Sequence, residues 1–299
     1  MIHGLSCLAK PKTDQPPLRS VLWRTIQPMH TRERYFPDPN RIGVLVAAVL
    51  LTYALTRLVN APGYTITIQL PSFYFSYPLT LGTAMTLMAA GLTASGMHWL
   101  LQGHPALQGR NTFEHLLLPA LTAFILGVLL DNLPEGRVWW VAFVVGGGLL
   151  VSVFLAEYVV VDPGAPLYPL ASAGLIALSY TLFLLFLIAL RLAAVRLFLE
   201  MPAVFLAAAL VTLRTLHLRL GGHWEFPWAI GIGLISAQLA ASLHYWPLSA
   251  LQVGLLVLGP LYALTALAYG LSQQVPVRSA LTEPLLILGG LWIAAVFLR

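Results

Sequence analysis

Charge and cysteine are scarce in this 299-residue sequence. Only 9% of its residues are charged, whereas soluble domains contain about 25%. Cys7 is the only cysteine, which excludes an intrachain disulfide and a cysteine-based metal cluster. No lysine follows Lys12, which excludes a Schiff-base pigment of the retinal kind in the apolar part of the chain. Low charge together with 59% hydrophobic residues indicates a membrane protein.

Three common catalytic signatures are also absent. The sequence contains no G-x-x-x-x-G-K-[ST] phosphate loop, no H-E-x-x-H zinc helix and no G-x-S-x-G nucleophile elbow. We therefore assign no catalytic residue and no metal, and we do not expect ATP hydrolysis by this chain alone.

Long apolar runs account for most of the chain. A helix needs about 20 apolar residues to cross the hydrocarbon core of a bilayer, and nine runs come near that length. We predict an all-α, polytopic transmembrane bundle of about nine helices, with eight as the alternative, short loops and one small outer hairpin in residues 64–77. The nine runs are 42–59, 79–101, 114–130, 138–160, 170–190, 202–218, 227–245, 248–271 and 281–298.

The sixth run decides between nine helices and eight. Its charge-free part, residues 202–213, is about twelve residues long and too short to span a membrane alone. It reaches spanning length only if Arg214, His217 and Arg219 extend toward the interface from its last turns.

The first forty residues form a separate region. Residues 1–40 are rich in proline and basic side chains and predict a mostly unpacked tail, followed by a single transmembrane domain in residues 41–299. We read the basic bias as an orientation signal with the N-terminus in the cytoplasm, and not as nucleic-acid binding. Beyond the tail, basic residues do not favour either side. Seven of the sixteen Lys and Arg residues precede or begin the first run: Lys10, Lys12, Arg19, Arg24, Arg32, Arg34 and Arg41.

Ionisable residues gather at one depth in this topology. Helices two, four and six end at the inner surface, and helices three and nine begin there. Such a group could bind a proton, an anionic ligand, a quinone or a lipid headgroup, because ionisable residues inside a bundle are costly. The alternative is that each one only ends a helix at the interface. The candidate ligand-binding residues are His98, Glu114, Glu157, Arg214, His217 and Glu283.

The cofactor stays unknown at this level. Haem would need histidines at matched depth on facing helices, and His98 with His217 is the pair that fits. A carotenoid is a further alternative.

A repeat is a further possibility. An aromatic residue, proline and leucine recur at 77–79, 168–170 and 246–248. These motifs are predicted to begin helices two, five and eight. A threefold repeat of three-helix units would explain this pattern. Proline at the first helical position and aromatic residues at the interface would explain it without a repeat.

Four short runs resemble a known family. LAEY at 155–158, YPLA at 168–171, LRTLH at 213–217 and HYWPLS at 244–249 resemble an uncharacterised family of multi-pass membrane proteins, a domain of unknown function, from Chloroflexota-type bacteria. The resemblance covers most of the chain after Asn40. It implies a bacterial inner-membrane location and carries no activity, cofactor or catalytic residue with it.

Two functional classes remain. The first is a non-catalytic scaffold or accessory subunit that packs with lipid, pigment or other membrane subunits. The second is a transporter or membrane-embedded enzyme for a lipid-soluble or anionic substrate, in which Arg214 would hold the anion and His98 or His217 would move a proton. Glu157 or Glu283 would set the charge of these histidines. Convergence of these groups in a closed cavity would favour the second class.

Overall fold

The fold is described from a computed structural model that covers residues 37–59, 63–70, 73–102, 104, 107, 112–134 and 136–298. These residues form nine helices and one two-stranded hairpin, as the sequence predicts. Residues 1–36 of the predicted tail lie outside the described part, and α1 begins at Pro39 with Asp38 as its N-cap. The helices are α1 Pro39–Leu58, α2 Leu81–Leu101, α3 Phe113–Asn132, α4 Arg137–Val160, α5 Tyr168–Leu192, α6 Leu197–Arg219, α7 Phe226–Leu243, α8 Ala250–Ser272 and α9 Val277–Phe297.

Eight of these helices are long and apolar enough to cross a membrane, so the chain is a multi-pass membrane protein. The sequence left open whether the sixth run spans the membrane, but the corresponding helix α6 is among the eight. α6 begins at Leu197, five residues before the run read from the sequence, and is 23 residues long. It includes Glu200, whose buried carboxylate contacts His244, so this charge lies inside the helix and not in a loop.

α2 is the helix outside this set of eight. Its 21 residues give a length of about 31 Å at 1.5 Å per residue, close to the thickness of the hydrocarbon core. Thr83, Thr86, Thr93 and His98 lower its apolar character. α2 packs against α1 and α3, and Thr86 and Thr93 are buried in these contacts.

The helices divide into two groups of four. Helices α1 to α4 pack around one apolar core that includes Val49, Met97 and Phe154. Helices α5 to α8 pack around a second core that includes Leu216 and Leu261. A smaller apolar cluster from α3, α4, α5 and α6 joins the two groups, and α9 packs on α8. We call the two groups the first half and the second half.

In each half, one arginine donates hydrogen bonds to backbone oxygens at the end of another helix. Arg57, at the end of α1, donates to the backbone oxygens of Leu130 and Leu133 at 3.1 and 2.9 Å. Arg191, at the end of α5, donates to the backbone oxygens of His244 and Trp246. In each half, an arginine of the first helix therefore caps the carbonyl end of the third helix, as cations at helix C-termini do.

The segments that contain the third helix of each half have the same length and the same end residues. Residues 113–134 and 226–247 are segments of equal length that begin with phenylalanine and end with proline, and each is followed by the fourth helix of its half. Each half has four helices, whereas the threefold repeat considered for the aromatic motifs would need units of three. Those motifs occupy unlike positions, since Tyr77 lies in a strand and Tyr168 begins α5.

The predicted hairpin is present. Strands β1 Tyr64–Leu70 and β2 Phe73–Leu79 pair antiparallel, with Tyr64 opposite Leu79 and Leu70 opposite Phe73. The hairpin connects the end of α1 to the start of α2.

Candidate functional site

Five ionisable side chains meet where the two halves join. Glu114 and His115 lie in the first turn of α3, Glu157 lies in the last turn of α4, and Arg214 and His217 lie in the last two turns of α6. We call these five residues the ionic cluster and their end of the bundle the cluster end. The cluster links the first half, through α3 and α4, to the second half, through α6.

Glu157 is the buried centre of the cluster. Its side chain is 0% exposed, and its Oε2 accepts a hydrogen bond from Arg214 Nη2 at 2.5 Å. The same oxygen lies 2.8 Å from His115 Nδ1. A buried carboxylate needs such partners, because removing an ion from water costs on the order of several kcal/mol.

The histidines extend the cluster toward the surface. His115 Nε2 lies 3.4 Å from Glu114 Oε1, so this imidazole contacts a carboxylate through each ring nitrogen. Glu114 Oε2 lies 2.8 Å from His217 Nε2. The His217 ring stacks on Trp224, with 4.1 Å between the ring centroids.

A cavity of about 470 Å³ opens beside the cluster. This volume is within the range of small-molecule sites, which is about 300–1,000 Å³. Its wall combines all of the cluster except Glu157 with aromatic, apolar and glycine residues from α4, α5 and the α6–α7 connection. Its lining residues include Glu114, His217, Tyr168, Trp224, Val160 and Gly221.

Several polar atoms of the central pair have no hydrogen-bond partner in the part of the chain that the structure describes. They are Glu157 Oε1 and Arg214 Nε and Nη1, and all three are buried. Unpartnered buried polar atoms are uncommon, so their concentration here marks a functional site or a site of bound water.

His104 adds a further imidazole near the cluster. It lies in the α2–α3 connection, is buried, and contacts Tyr158 with 4.5 Å between the ring centroids. Burial lowers the pKa of His104 below its usual value, and the negative charge of Asp162 partly opposes this effect. No periodic pattern in the sequence indicates His104, because it lies outside the helices.

Comparison with known proteins agrees with the resemblance in the sequence. The model of one family, "Protein of unknown function (DUF5656)", matches residues 61–298, which is most of the chain. The chain belongs to the DUF5656 family. No curated protein and no solved structure matches it. The family assignment is therefore confirmed, while the Chloroflexota origin stays a prediction.

Four of the six predicted binding residues lie in the ionic cluster of this DUF5656 protein: Glu114, Glu157, Arg214 and His217. His98 lies apart from them on an exposed part of α2, where its Nδ1 is 2.9 Å from Thr112 Oγ1. Glu283 is on α9 and accepts a hydrogen bond from Tyr262 at 3.0 Å. Glu283 is separated from the cluster because α9 packs on α8, away from α3 and α4.

His115 is the residue that the sequence-based selection missed. It follows Glu114 directly at the start of α3, but the predicted binding residues do not include it. The adjacent Glu-His pair at a helix start was the available signal.

A second polar group occupies the opposite end of the second half. Glu200 contacts His244, whose backbone oxygen accepts a hydrogen bond from Arg191. His244 therefore lies at the end of α7 beside the start of α6, whereas the cluster lies at the end of α6. This group caps α7, and a cavity of about 190 Å³ lies beside it.

Proposed function

We propose that this DUF5656 protein is a transporter-type membrane protein that binds a small polar ligand in the cavity of the ionic cluster. The observation that carries the proposal is the convergence of five ionisable side chains where the halves join, four of which line one cavity. Ionisable residues inside a membrane bundle are costly and mark substrate or ion sites by default. An interface role alone would leave them apart and facing water.

The two halves support the transporter class. Several transporter folds consist of two repeated units, with the substrate site between them. Here each half is a four-helix unit with the same helix order and the same arginine cap, and the cluster is contributed by both. A small rotation of one half relative to the other would change access to the cavity.

The charges favour a ligand with hydrogen-bond donors or positive charge. The sequence suggested that Arg214 holds an anion, but Arg214 is 4% exposed and already pairs with Glu157. Glu114 is the most exposed charged group of the cluster, with 26% of its side chain accessible. Trp224 offers a flat apolar surface beside it. We therefore propose Glu114 and Trp224 as the groups that contact the ligand.

Trp224→Ala is expected to remove the ligand from the purified protein. Native mass spectrometry of protein extracted gently from its own membrane would show one additional small-molecule mass on the wild type and at least tenfold less on the variant. Trp228→Ala is the matched control, because Trp228 is equally exposed on α7 but does not line the cavity. Equal retention by both variants, or a wild type without bound mass, would contradict the proposal.

An accessory-subunit role is the second candidate, and α9 is the observation that favours it. Among its residues, Pro284 and Ala295 are the buried ones, so most of this apolar helix faces outward. The same native spectra would distinguish the candidates, since an accessory subunit carries a stoichiometric protein partner.

We further propose that the tail faces the cytoplasm across a bacterial inner membrane, on the basis of its basic residues. Because Cys7 is the only cysteine, orientation can be tested directly with a membrane-impermeant maleimide on spheroplasts. We expect labelling only after permeabilisation, and none at all in Cys7→Ser. Full labelling of intact spheroplasts would reverse the orientation.

A further inference from the structure

Carboxylates and imidazoles alternate without interruption from the cavity to the buried centre. His217 contacts Glu114 at 2.8 Å, Glu114 contacts His115 at 3.4 Å, and His115 contacts Glu157 at 2.8 Å. An imidazole can accept a proton on one nitrogen and release one from the other. The four groups therefore have the order that stepwise proton transfer requires.

The two carboxylate contacts of His115 favour an additional proton in the cluster, and Arg214 Nη2 also lies 3.5 Å from His115 Nδ1. A neutral imidazole has one N–H, so it can donate to one carboxylate and not to two. Both nitrogens of His115 face carboxylate oxygens, from Glu114 and from Glu157. Both contacts become hydrogen bonds only if His115 is an imidazolium or if one carboxylate is protonated.

The charges of the cluster agree with that additional proton. With neutral imidazoles, Glu114, Glu157 and Arg214 sum to one negative charge at a buried site. One proton shared with His115 makes the sum zero, and burial strongly disfavours an uncompensated charge. Three groups from neighbouring connections face this region: His104 from the α2–α3 connection, Asp162 from the α4–α5 connection and His223 from the α6–α7 connection.

Exposure decreases from the Glu114–His217 pair to the buried centre. The accessible fraction of the side chain is 26% for Glu114, 11% for His217, 8% for His115 and 0% for Glu157. The path thus begins at groups that line the cavity and ends at a carboxylate whose second oxygen has no partner among the described residues. Protons can enter from the cavity and be held at the centre.

We infer that His217, Glu114, His115 and Glu157 form a proton relay, and that the proton is the ion coupled to ligand binding in this cavity. The relay binds one proton at the Glu114–His217 pair and passes it through His115 to the Glu157 carboxylate. The proton returns to water by the same path, and no other bond forms or breaks. The coupling deepens the proposed function and depends on it, whereas the relay itself can be measured without a ligand.

Trp224 reports the protonation of this path. A protonated imidazole quenches an indole with which it stacks, and His217 stacks on Trp224. The fluorescence of the full chain in nanodiscs, titrated from pH 4 to 9 with the Trp224→Phe signal subtracted, isolates this indole. We expect one titration step in the difference signal.

Two variants should move the midpoint of that step in opposite directions. Glu114→Gln removes the carboxylate that stabilises the His217 imidazolium, so the midpoint should fall by about 1 pH unit or more. His115→Gln removes a shared positive charge beside Glu114, so the midpoint should rise. Glu283→Gln is the matched control, because Glu283 lies outside the cluster, and it should leave the midpoint unchanged.

Opposite shifts with an unchanged control establish the relay. A difference signal without a titration step, or shifts in the same direction, would overturn it. If His115→Gln does not fold, Glu114→Gln decides alone, and an unchanged midpoint in that variant overturns the relay. Because the titration contains no ligand, a missing ligand in the native spectra would leave the relay intact and would count only against the proposed function.

Discussion

Glu157→Leu is expected to lower the free energy of unfolding by about 3–5 kcal/mol, the usual cost of removing one partner of a buried ion pair. The substitution leaves the guanidinium of Arg214 without its carboxylate at a position where Arg214 is 4% exposed. Thermal unfolding in detergent, followed by size-exclusion chromatography, would show the loss as a lower midpoint or as aggregation.

The double variant Glu157→Leu/Arg214→Met separates charge from packing. Well-packed apolar residues in place of a buried pair are often neutral or stabilising, so this variant should recover most of the lost stability. It should also lose the proton relay, which ends at Glu157. If Glu157→Leu alone unfolds at the wild-type temperature, the pair is not buried in the membrane protein and the description of the cluster is wrong.

Gly233→Leu is expected to prevent α6 and α7 from packing. A Cβ at Gly233 would lie 3.0 Å from the backbone oxygen of Phe205 and 3.0 Å from the Cβ of Ala209. Backbone atoms cannot move aside as a flexible side chain can, and overpacking costs about 1–3 kcal/mol or more. Small residues allow such close approach between membrane helices. Because α6 carries Arg214 and His217, its displacement would also disrupt the ionic cluster.

Gly231→Leu is the control for this substitution. Gly231 lies two residues away on the same helix, and among the described residues no atom of another helix lies within 4 Å of the position of its Cβ. Thermal unfolding of both variants should show a large decrease for Gly233→Leu and almost none for Gly231→Leu. Equal decreases would indicate a general cost of leucine in α7 and would contradict the close α6–α7 contact.

The helices could be predicted because apolar length alone identifies membrane spans. The start of α6 could not, since Glu200 looked like a loop residue until its partner His244, in another helix, was known. The run of α2 was counted as a span because it contains no Asp, Glu, Lys or Arg, but its threonines and His98 lower its apolar character.

The sequence could predict which ionisable residues lie near the same end of the bundle. It could not predict which of their side chains are in contact. Alternation of helix direction placed His98, Glu283 and the four cluster members at one level. Which of them touch depends on which helices are neighbours, and no single sequence contains that information. α9 packs on α8, and this keeps Glu283 away from Arg214. His115 was underestimated because its importance comes from two partners on different helices, Glu114 beside it and Glu157 on α4.

The matching arginine contacts of the two halves could not be predicted from the sequence either. Arg57 and Arg191 are far in sequence from the groups that they contact, and those groups are backbone oxygens. Every residue has a backbone oxygen, so the sequence does not indicate which one an arginine contacts. These contacts are therefore known only from the fold.

The most direct test of the central claim is a high-resolution density map of the protein in nanodiscs made from its native membrane. We expect one non-protein density in the cavity, in contact with Glu114 and Trp224, and connected side-chain density from His217 to Glu157. A cavity that contains only water, with the His115 ring turned away from both carboxylates, would contradict both the ligand site and the relay.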